Sequence, residues 1–347
     1  MRTGVILDPL FIRHKTPVGH PERPERINSL IKAFDQWPLR ESVTRYTPVP
    51  IDPQWVLRVH SRRHYQVVES TKGEQTGLLD ADTPTGPDSF ETALHAAGST
   101  VQLIQAIDQD EVDSGFSLVR PPGHHAESDR AMGFCLFNNA AVAADWAVAN
   151  EIASKVAIVD FDVHHGNGTQ EIFYSRPDVL YISSHQFPFY PGTGDFREMG
   201  EGPGLGYTIN LPLRAGTGDF FYYALYRDVV APILIEFAPD LIIVSAGYDA
   251  HAEDPLGGML MSTAGYAALV SILNGAAVQA SEGRIVYLLE GGYDLAALAD
   301  SVLRSVEVAL QGEQAEVADV LPSQTVEYEA YRKTAKSYFA RHWRSLT

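Results

Sequence analysis

The stretch Val156 to Gly168, V-A-I-V-D-F-D-V-H-H-G-N-G, decides how this chain is read. Val156, Ala157, Ile158 and Val159 form a short apolar run without polar alternation, the pattern of a parallel strand buried on both faces. Gly166 marks where extended structure gives way to a loop. Side chains alternate along a strand, so Asp160, Asp162 and His164 are expected on one face. Two carboxylates and an imidazole where a buried strand runs out need partners, because an unpaired buried carboxylate is costly. A cation or a neighbouring histidine is the least costly partner.

Composition bounds what surrounds that strand. A chain of 347 residues with 45% hydrophobic content can bury a large core, which suggests one big α/β domain. The opening M-R-T-G-V-I-L-D reads as a first strand rather than a signal peptide, and no apolar run is long enough to span a bilayer. A cytoplasmic protein with no membrane partner is therefore expected. Cys135 is the single cysteine, which excludes an internal disulfide and a zinc site built on several thiolates. A formal charge of -18 argues against direct nucleic-acid binding and suits cationic or neutral ligands, with solubility as the plainer reason for it.

Upstream of the central strand, H-P-E-R-P-E-R (His20 to Arg26) leads into Ile27, Leu30, Ile31 and Phe34, apolar at helical spacing. A second helical pattern lies near Tyr65, Val67 and Val68. The turn-forming run Asp80 to Asp88, D-A-D-T-P-T-G-P-D, is expected to be an exposed loop carrying Asp82, ahead of a helix from Phe90 to Ile107. Gly115 to Val119 is a strand candidate that empties into R-P-P-G-H-H-A (Arg120 to Ala126), where two prolines and a glycine fix the corner. His124 and His125 at that corner are either ordinary loop residues or part of a site. Asn138 to Asn150 reads as a buried, alanine-rich helix.

Downstream, the pattern keeps alternating as a parallel sheet would: helix Thr169 to Tyr174, then strands Val179 to Ser183, Tyr207 to Leu211, Leu241 to Ser245 and Arg284 to Leu289. Helices are expected over Gly218 to Phe237 and Ser262 to Ala280. The G-N-G at Gly166 lacks the full glycine fingerprint of a phosphate-binding turn. Phe187 to Asp195, F-P-F-Y-P-G-T-G-D, is a long aromatic loop of the kind that shapes sites. Three apolar runs end in reactive side chains: Asp160 onward, Tyr248 and Asp249, and Glu290 followed by Gly291, Gly292 and Tyr293. Ligands of open parallel sheets bind beyond the carboxyl ends of the strands, so one cleft would collect all three ends and the His-His corner.

H-P-E-R-P-E-R, R-P-P-G-H-H-A, G-F-C-L-F-N-N, D-F-D-V-H-H-G-N-G-T-Q, F-Y-P-G-T-G, S-A-G-Y-D-A-H and L-E-G-G-Y-D run in order from His20 to Asp294. Together they resemble the zinc-dependent histone deacetylase and acetylpolyamine amidohydrolase superfamily. Asn167 and the D-P-L-G-G at Asp254 to Gly258 make the chain most similar to the class II deacetylases and their bacterial relatives. The resemblance implies the arginase-like α/β fold, with a central, mostly parallel sheet flanked by helices on both faces. It implies Asp162, His164 and Asp249 as ligands of one Zn2+, an arrangement that leaves a coordination position open. Iron, cobalt or manganese would also be compatible with that spacing. It implies His125 as general base, partnered by Asn167, and His124 as its electrostatic neighbour, partnered by Asp160. An amide orients a ring without lending it a full charge, so His125 should be the more readily neutral of the two. Tyr293 becomes the donor to the oxyanion.

The same resemblance implies a substrate tunnel from Gly133, Phe134, Tyr190, Leu256 and Gly292, with Asp82 gripping substrate backbone. It also implies a structural K+ site at Asp160, Asp162, His164, Ser183 and Ser184. Leu256 stands where polyamine-selective relatives carry an acid, which favours acyl-lysine over an acetylated polyamine as substrate; the overall acidity pulls the other way. From another class, a catalytically silent acyl-lysine binding protein would bind without releasing product. An arginase-type ureohydrolase would need further carboxylates for a second metal. The catalytic domain is expected over residues 1–310. Residues 311–347 are expected to form a polar linker (Gln311 to Ser323) and a helical extension (Val326 to Trp343). That extension would dock on the domain or on a neighbouring subunit of a homo-oligomer.

Overall fold

Among the described residues ten strands form, most of them on β-branched or aliphatic runs: β1 (Thr3–Ile6), β2 (Thr44–Arg45), β3 (Gly77–Asp80), β4 (Thr83–Thr85), β5 (Ser114–Ser117), β6 (Val156–Asp160), β7 (Val179–Gln186), β8 (Thr208–Leu213), β9 (Leu241–Ala246) and β10 (Ile285–Leu289). The structure is a computed structural model and describes residues 2–315, 317 and 322–347. Eight strands make one sheet in the order β2-β1-β5-β10-β9-β6-β7-β8, and every neighbouring pair in it is parallel. Ile158 of β6 lies between Tyr181 of β7 and Ile243 of β9, all buried. Phe116 of β5 stacks on its register partner Tyr287 of β10, with centroids 4.6 Å apart.

Helices cover the sheet: α1 (Glu25–Gln36), α2 (Pro53–Val59), α3 (Arg62–Glu69), α4 (Ser89–Asp108), α5 (Asn139–Ala149), α6 (Asn167–Phe173), α7 (Asp219–Leu225), α8 (Ala231–Phe237), α9 (Thr263–Ala280), α10 (Leu295–Gln311) and α11 (Pro322–Phe339). One layer is built from α4, α5 and α2, and another from α1, α10, α9 and α8. This is the arginase/deacetylase-like architecture. β5, β10, β9 and β6 are adjacent in the middle of the sheet. The chain crosses from β5 to β6 early and fills the gap between them only later with β9 and β10. Such a switch in strand order opens a crevice at the carboxyl ends.

Three expectations change. β6 stops at Asp160, so Asp162 and His164 sit in the following loop rather than on a strand face. There the backbone N–H of Asp162 donates to Asp160 Oδ1 (3.1 Å) and that of His164 to Asp162 Oδ1 (2.9 Å). Short acidic side chains capture N–H groups two residues on and so compete with the ladder. The loop expected at Asp80 to Asp88 instead holds the turn and second strand of the antiparallel hairpin β3–β4, with Thr83 to Thr85 buried. Pro84 drives Thr83 into extended backbone, and β-branched threonines favour strand. The single helix expected from Gly218 to Phe237 is interrupted by a π-helical turn, Tyr226–Val230, just before Pro232. Proline has no N–H for the carbonyl four residues back, here Asp228.

The expected linker from Gln311 to Ser323 lies partly outside the described residues. α11 packs on α7: Tyr328 donates its hydroxyl to the Ala224 carbonyl (2.8 Å) and to Asp228 Oδ2 (2.9 Å). Tyr338 stacks on Phe196, just past the aromatic loop, at 5.1 Å.

Candidate metal centre

The loops after β6 and β9 bring Asp162, His164 and Asp249 together, each offering a ligand atom within 4.8 Å of the others. Among the described residues this is the one cluster of three or more His, Cys, Asp or Glu side chains placed to hold a metal ion. His164 Nδ1 lies 3.1 Å from Asp162 Oδ1 and 3.2 Å from Asp249 Oδ2. Backbone N–H groups aim both carboxylates, Gly291 donating to Asp162 Oδ2 and Val163 to Asp249 Oδ1, each at 2.8 Å. A Cβ at Gly291 would stand 2.0 Å from Asp249 Oδ2, and one at Gly247 2.0 Å from Asp162 Oδ2, so only glycine leaves these oxygens room.

The group fits a divalent cation. Asp249 Oδ2 is buried and makes no hydrogen bond of proper geometry, although His164 is near. Burial, and then the Asp162 charge, push the Asp249 carboxyl up to about 7. Burial also opposes ionisation of Asp162, yet the imidazoles of His124 and His164 hold it well below the usual carboxylate range. Two buried carboxylates this close resist carrying two charges, and a dication removes the conflict. Two carboxylates and one imidazole are a donor set that suits zinc.

The His-His corner after β5 stands beside this cluster. His125 and His164 have ring centroids 5.9 Å apart, and His124 Nε2 is 3.8 Å from Asp162 Oδ1. His124 Nδ1 donates to Asp160 Oδ2 (3.1 Å), which also accepts from the Tyr181 hydroxyl (3.0 Å). His125 Nδ1 faces Asn167 Oδ1 at 2.8 Å. Burial works against charge on both rings. For His124 the Asp162 and Asp160 carboxylates outweigh it and raise the pKa to about 10. His125 has an amide partner, and burial with its neighbours His124 and His164 pushes it well below the ordinary histidine value.

Aromatic rings line the approach. Tyr190, 37% exposed, sets its ring edge-on to His125 at 5.1 Å. Phe134 is edge-on to Tyr293 at 5.9 Å. Gly133 (φ +55°) passes so close to His125 that a Cβ would meet the ring at 2.3 Å. Phe134 itself has φ +68°, a conformation that costs a non-glycine residue about 1–3 kcal/mol and concentrates at functional sites. Asp82 is half-buried at the hairpin turn, not an exposed loop acid, and its Oδ1 accepts from Gly133 N at 3.2 Å. Leu256 is half-buried in a turn whose Gly257 abuts the Asp249 carbonyl. Gly292 (φ +115°) presents its carbonyl to Arg26 Nε at 2.6 Å. Of the residues expected around potassium, Ser183 pairs its hydroxyl with His185 Nδ1 and Ser184 with the Tyr226 hydroxyl, each at 2.8 Å.

Sequence reasoning assigned no role to four contributors. Phe189 stacks on His164 at 5.3 Å. Glu290, fully buried and pushed up to about 7 first by burial, accepts from the backbone of Gly123 (2.6 Å) and His124 (3.2 Å), tying the His-His corner to β10. Asp254 Oδ2 accepts from Tyr293 N at 2.6 Å. Glu127 stands behind Asn167. Phe189, Asp254 and Glu290 each lie inside a quoted motif, and that was the available signal.

Sheet order, the carboxylate–imidazole cluster and the paired histidines define a class, and the chain belongs to the histone deacetylase family: residues 20–309 match the histone deacetylase domain. It is 37% identical over 297 residues to a probable deacetylase of Archaeoglobus fulgidus, covering 85% of this chain and 82% of that one. It is 38% identical over 314 residues to the histone deacetylase-like amidohydrolase of Pseudomonas aeruginosa, covering 90% and 82%. Histone deacetylase 5 of Arabidopsis thaliana is 39% identical over 332 residues; the match covers 90% of this chain but 50% of that longer protein. The crystal structure of the HDA15 HD domain superposes with a TM-score of 0.91 at 37% identity, over 99% of this chain and 96% of that one. The chain is accordingly a hydrolase of the deacetylase family.

Proposed function

We propose that the chain is a zinc-dependent deacetylase that hydrolyses the amide of acetyl-lysine, or of a similar acylated amine, to free amine and acetate. The carrying observation is that Asp162, His164 and Asp249 converge within 4.8 Å beside a histidine pair whose two partners differ. Asp162, His164 and Asp249 would hold the ion, which when bound supplies Lewis acidity toward the acyl carbonyl and acidifies water. His125, kept neutral, accepts the water proton and returns it to the leaving amine. His124, kept charged against Asp160, favours the negative charge that develops at the carbonyl, and the Tyr293 hydroxyl donates to that oxygen. Phe134, Phe189 and Tyr190 enclose the aliphatic stem and exclude water.

The apolar Leu256 supports acyl-lysine over an acetylated polyamine, because that side chain offers no charge to a secondary ammonium. Asp82 near the entrance would receive substrate backbone. A potassium ion at Asp160, Asp162, His164, Ser183 and Ser184, held in part by main-chain oxygens, would offset the buried negative charge. No helix among the described residues is long and apolar enough to cross a membrane, and a cytoplasmic setting completes the proposal.

The test is acetate release from an acetyl-lysine peptide and from an acetylated polyamine, run side by side before and after chelation, with metal content measured in each sample. Turnover of the peptide, lost with the metal and regained with zinc, is expected. Undiminished turnover in metal-free protein would sink the mechanism. Peptide binding without any product would favour the silent binding protein.

A further inference from the structure

Behind His125 the hydrogen bonds continue past Asn167 to a carboxylate. Asn167 Nδ2 donates to Glu127 Oε1 at 2.7 Å, while Asn167 Oδ1 faces His125 Nδ1 at 2.8 Å. Glu127 is itself held three ways. Its Oε2 lies 3.1 Å from Arg130, its N–H donates to the Arg130 carbonyl at 3.0 Å, and its own carbonyl accepts from His60 Nδ1 at 2.9 Å. Asn167 is 6% exposed, so no bulk water competes for its amide.

An asparagine alone cannot fix a histidine's tautomer, because its amide offers an acceptor at one end and donors at the other and can turn over. A carboxylate paired with arginine only accepts. Placed at the far end of the amide, it admits the NH2 group alone, which forces the carbonyl end toward His125. His125 must then carry its proton on Nδ1 and keep Nε2 free. We propose that Glu127 is the positioning residue that sets the tautomer of His125 through Asn167. The pair is a unit: aspartate at 167 would put two carboxylate oxygens at hydrogen-bond distance, so the amide at that position is what Glu127 requires. The inference rests on the hydrolase reading, in which Nε2 of His125 faces the reacting water.

The experiment joins long-range 1H–15N spectra of the histidine rings to steady-state kinetics on an acetyl-lysine peptide, for wild type, Glu127→Ala, Glu127→Gln, Asn167→Asp and the Asn167→Asp/Glu127→Gln double variant. In wild type the His125 proton sits on Nδ1. In Glu127→Ala the tautomer becomes mixed and kcat falls about 10- to 100-fold at unchanged KM, the usual scale for losing a partner that orients a ligand or base. Glu127→Gln, which keeps an acceptor, falls in between. Asn167→Asp alone loses activity, and the double variant regains part of it, because the glutamine NH2 now donates to the new carboxylate. A His125 tautomer and kcat indifferent to Glu127→Ala, or a double variant no better than Asn167→Asp, would overturn the proposal. Absence of acetate release from wild-type protein would instead overturn the hydrolase reading, and the spectra would still report the tautomer.

Discussion

Tyr293, the proposed oxyanion donor, is held through its ring and its main chain. Arg26, fully buried, places its guanidinium 4.9 Å from the ring centroid while donating to the carbonyls of Gly292 and Glu290, each at 2.6 Å. Glu22 lies 3.2 Å from it and is shared with the buried Arg120. Asp254 fixes the Tyr293 backbone N–H. All of these contacts concern the ring or the main chain, and none needs the hydroxyl. Tyr293→Phe should therefore keep its melting temperature and metal content while kcat falls about 10²- to 10³-fold, the usual loss for one oxyanion donor. Kinetics with parallel metal analysis check this, and full activity in the variant would remove Tyr293 from the chemistry.

At the scale of elements, the site is four neighbouring strand ends whose glycines let carboxylates approach the backbone. Gly291→Ala is the sharpest probe, since its Cβ would meet Asp249 Oδ2 at 2.0 Å and Asp162 Oδ2 at 2.6 Å. Zinc affinity should weaken at least about tenfold as the carboxylates are pushed apart. Gly275→Ala is the control: in α9 a Cβ there meets nothing within 4 Å, and alanine favours helix by up to about 1 kcal/mol over glycine. Equal zinc retention in both variants, measured by competition with a chelating dye, would refute the role of the glycine cradle. Three of the strands carrying these ends, β6, β9 and β10, were legible because fully buried strands read as nearly continuous apolar runs. Their order was not, since periodicity says what each strand is and nothing of its neighbours: that β10 and β9 lie between β5 and β6 is a property of the packed sheet. Asp162 and Asp249 were legible as acids where acids are costly, and their coordination distance came only with the loops. The β3–β4 hairpin hid behind its own turn formers, because Thr83, Pro84 and Thr85 read as a loop until something buries them.

The whole molecule carries histidines that its interior keeps neutral, and they set its response to acid. Burial, and then the neighbouring His64, push His60 down to about 3; burial likewise pushes His185 down to about 4. His60 is fixed between the Glu127 carbonyl and the backbone N–H of Asn138, which its Nε2 accepts at 2.9 Å, so it links α2 to the start of α5. An unfolded chain protonates such a ring near pH 6.5. Between there and about pH 3 the unfolded state binds a proton that the folded state does not, so stability is lost as pH falls through that window. Above pH 6.5 the ring is neutral in both states and contributes no slope. One such histidine can tilt stability by at most about 1.4 kcal/mol per pH unit. A formal charge of -18 acts oppositely, since acidification relieves self-repulsion, and the raw profile mixes the two. The difference between wild type and His60→Gln removes the shared charge contribution. Glutamine does not titrate, so the variant, less stable at pH 7 for want of the ring's fit, should lose stability less steeply between pH 6.5 and 4. Denaturant unfolding at half-unit steps of pH measures that difference, and parallel profiles would show that His60 is not kept neutral by the fold.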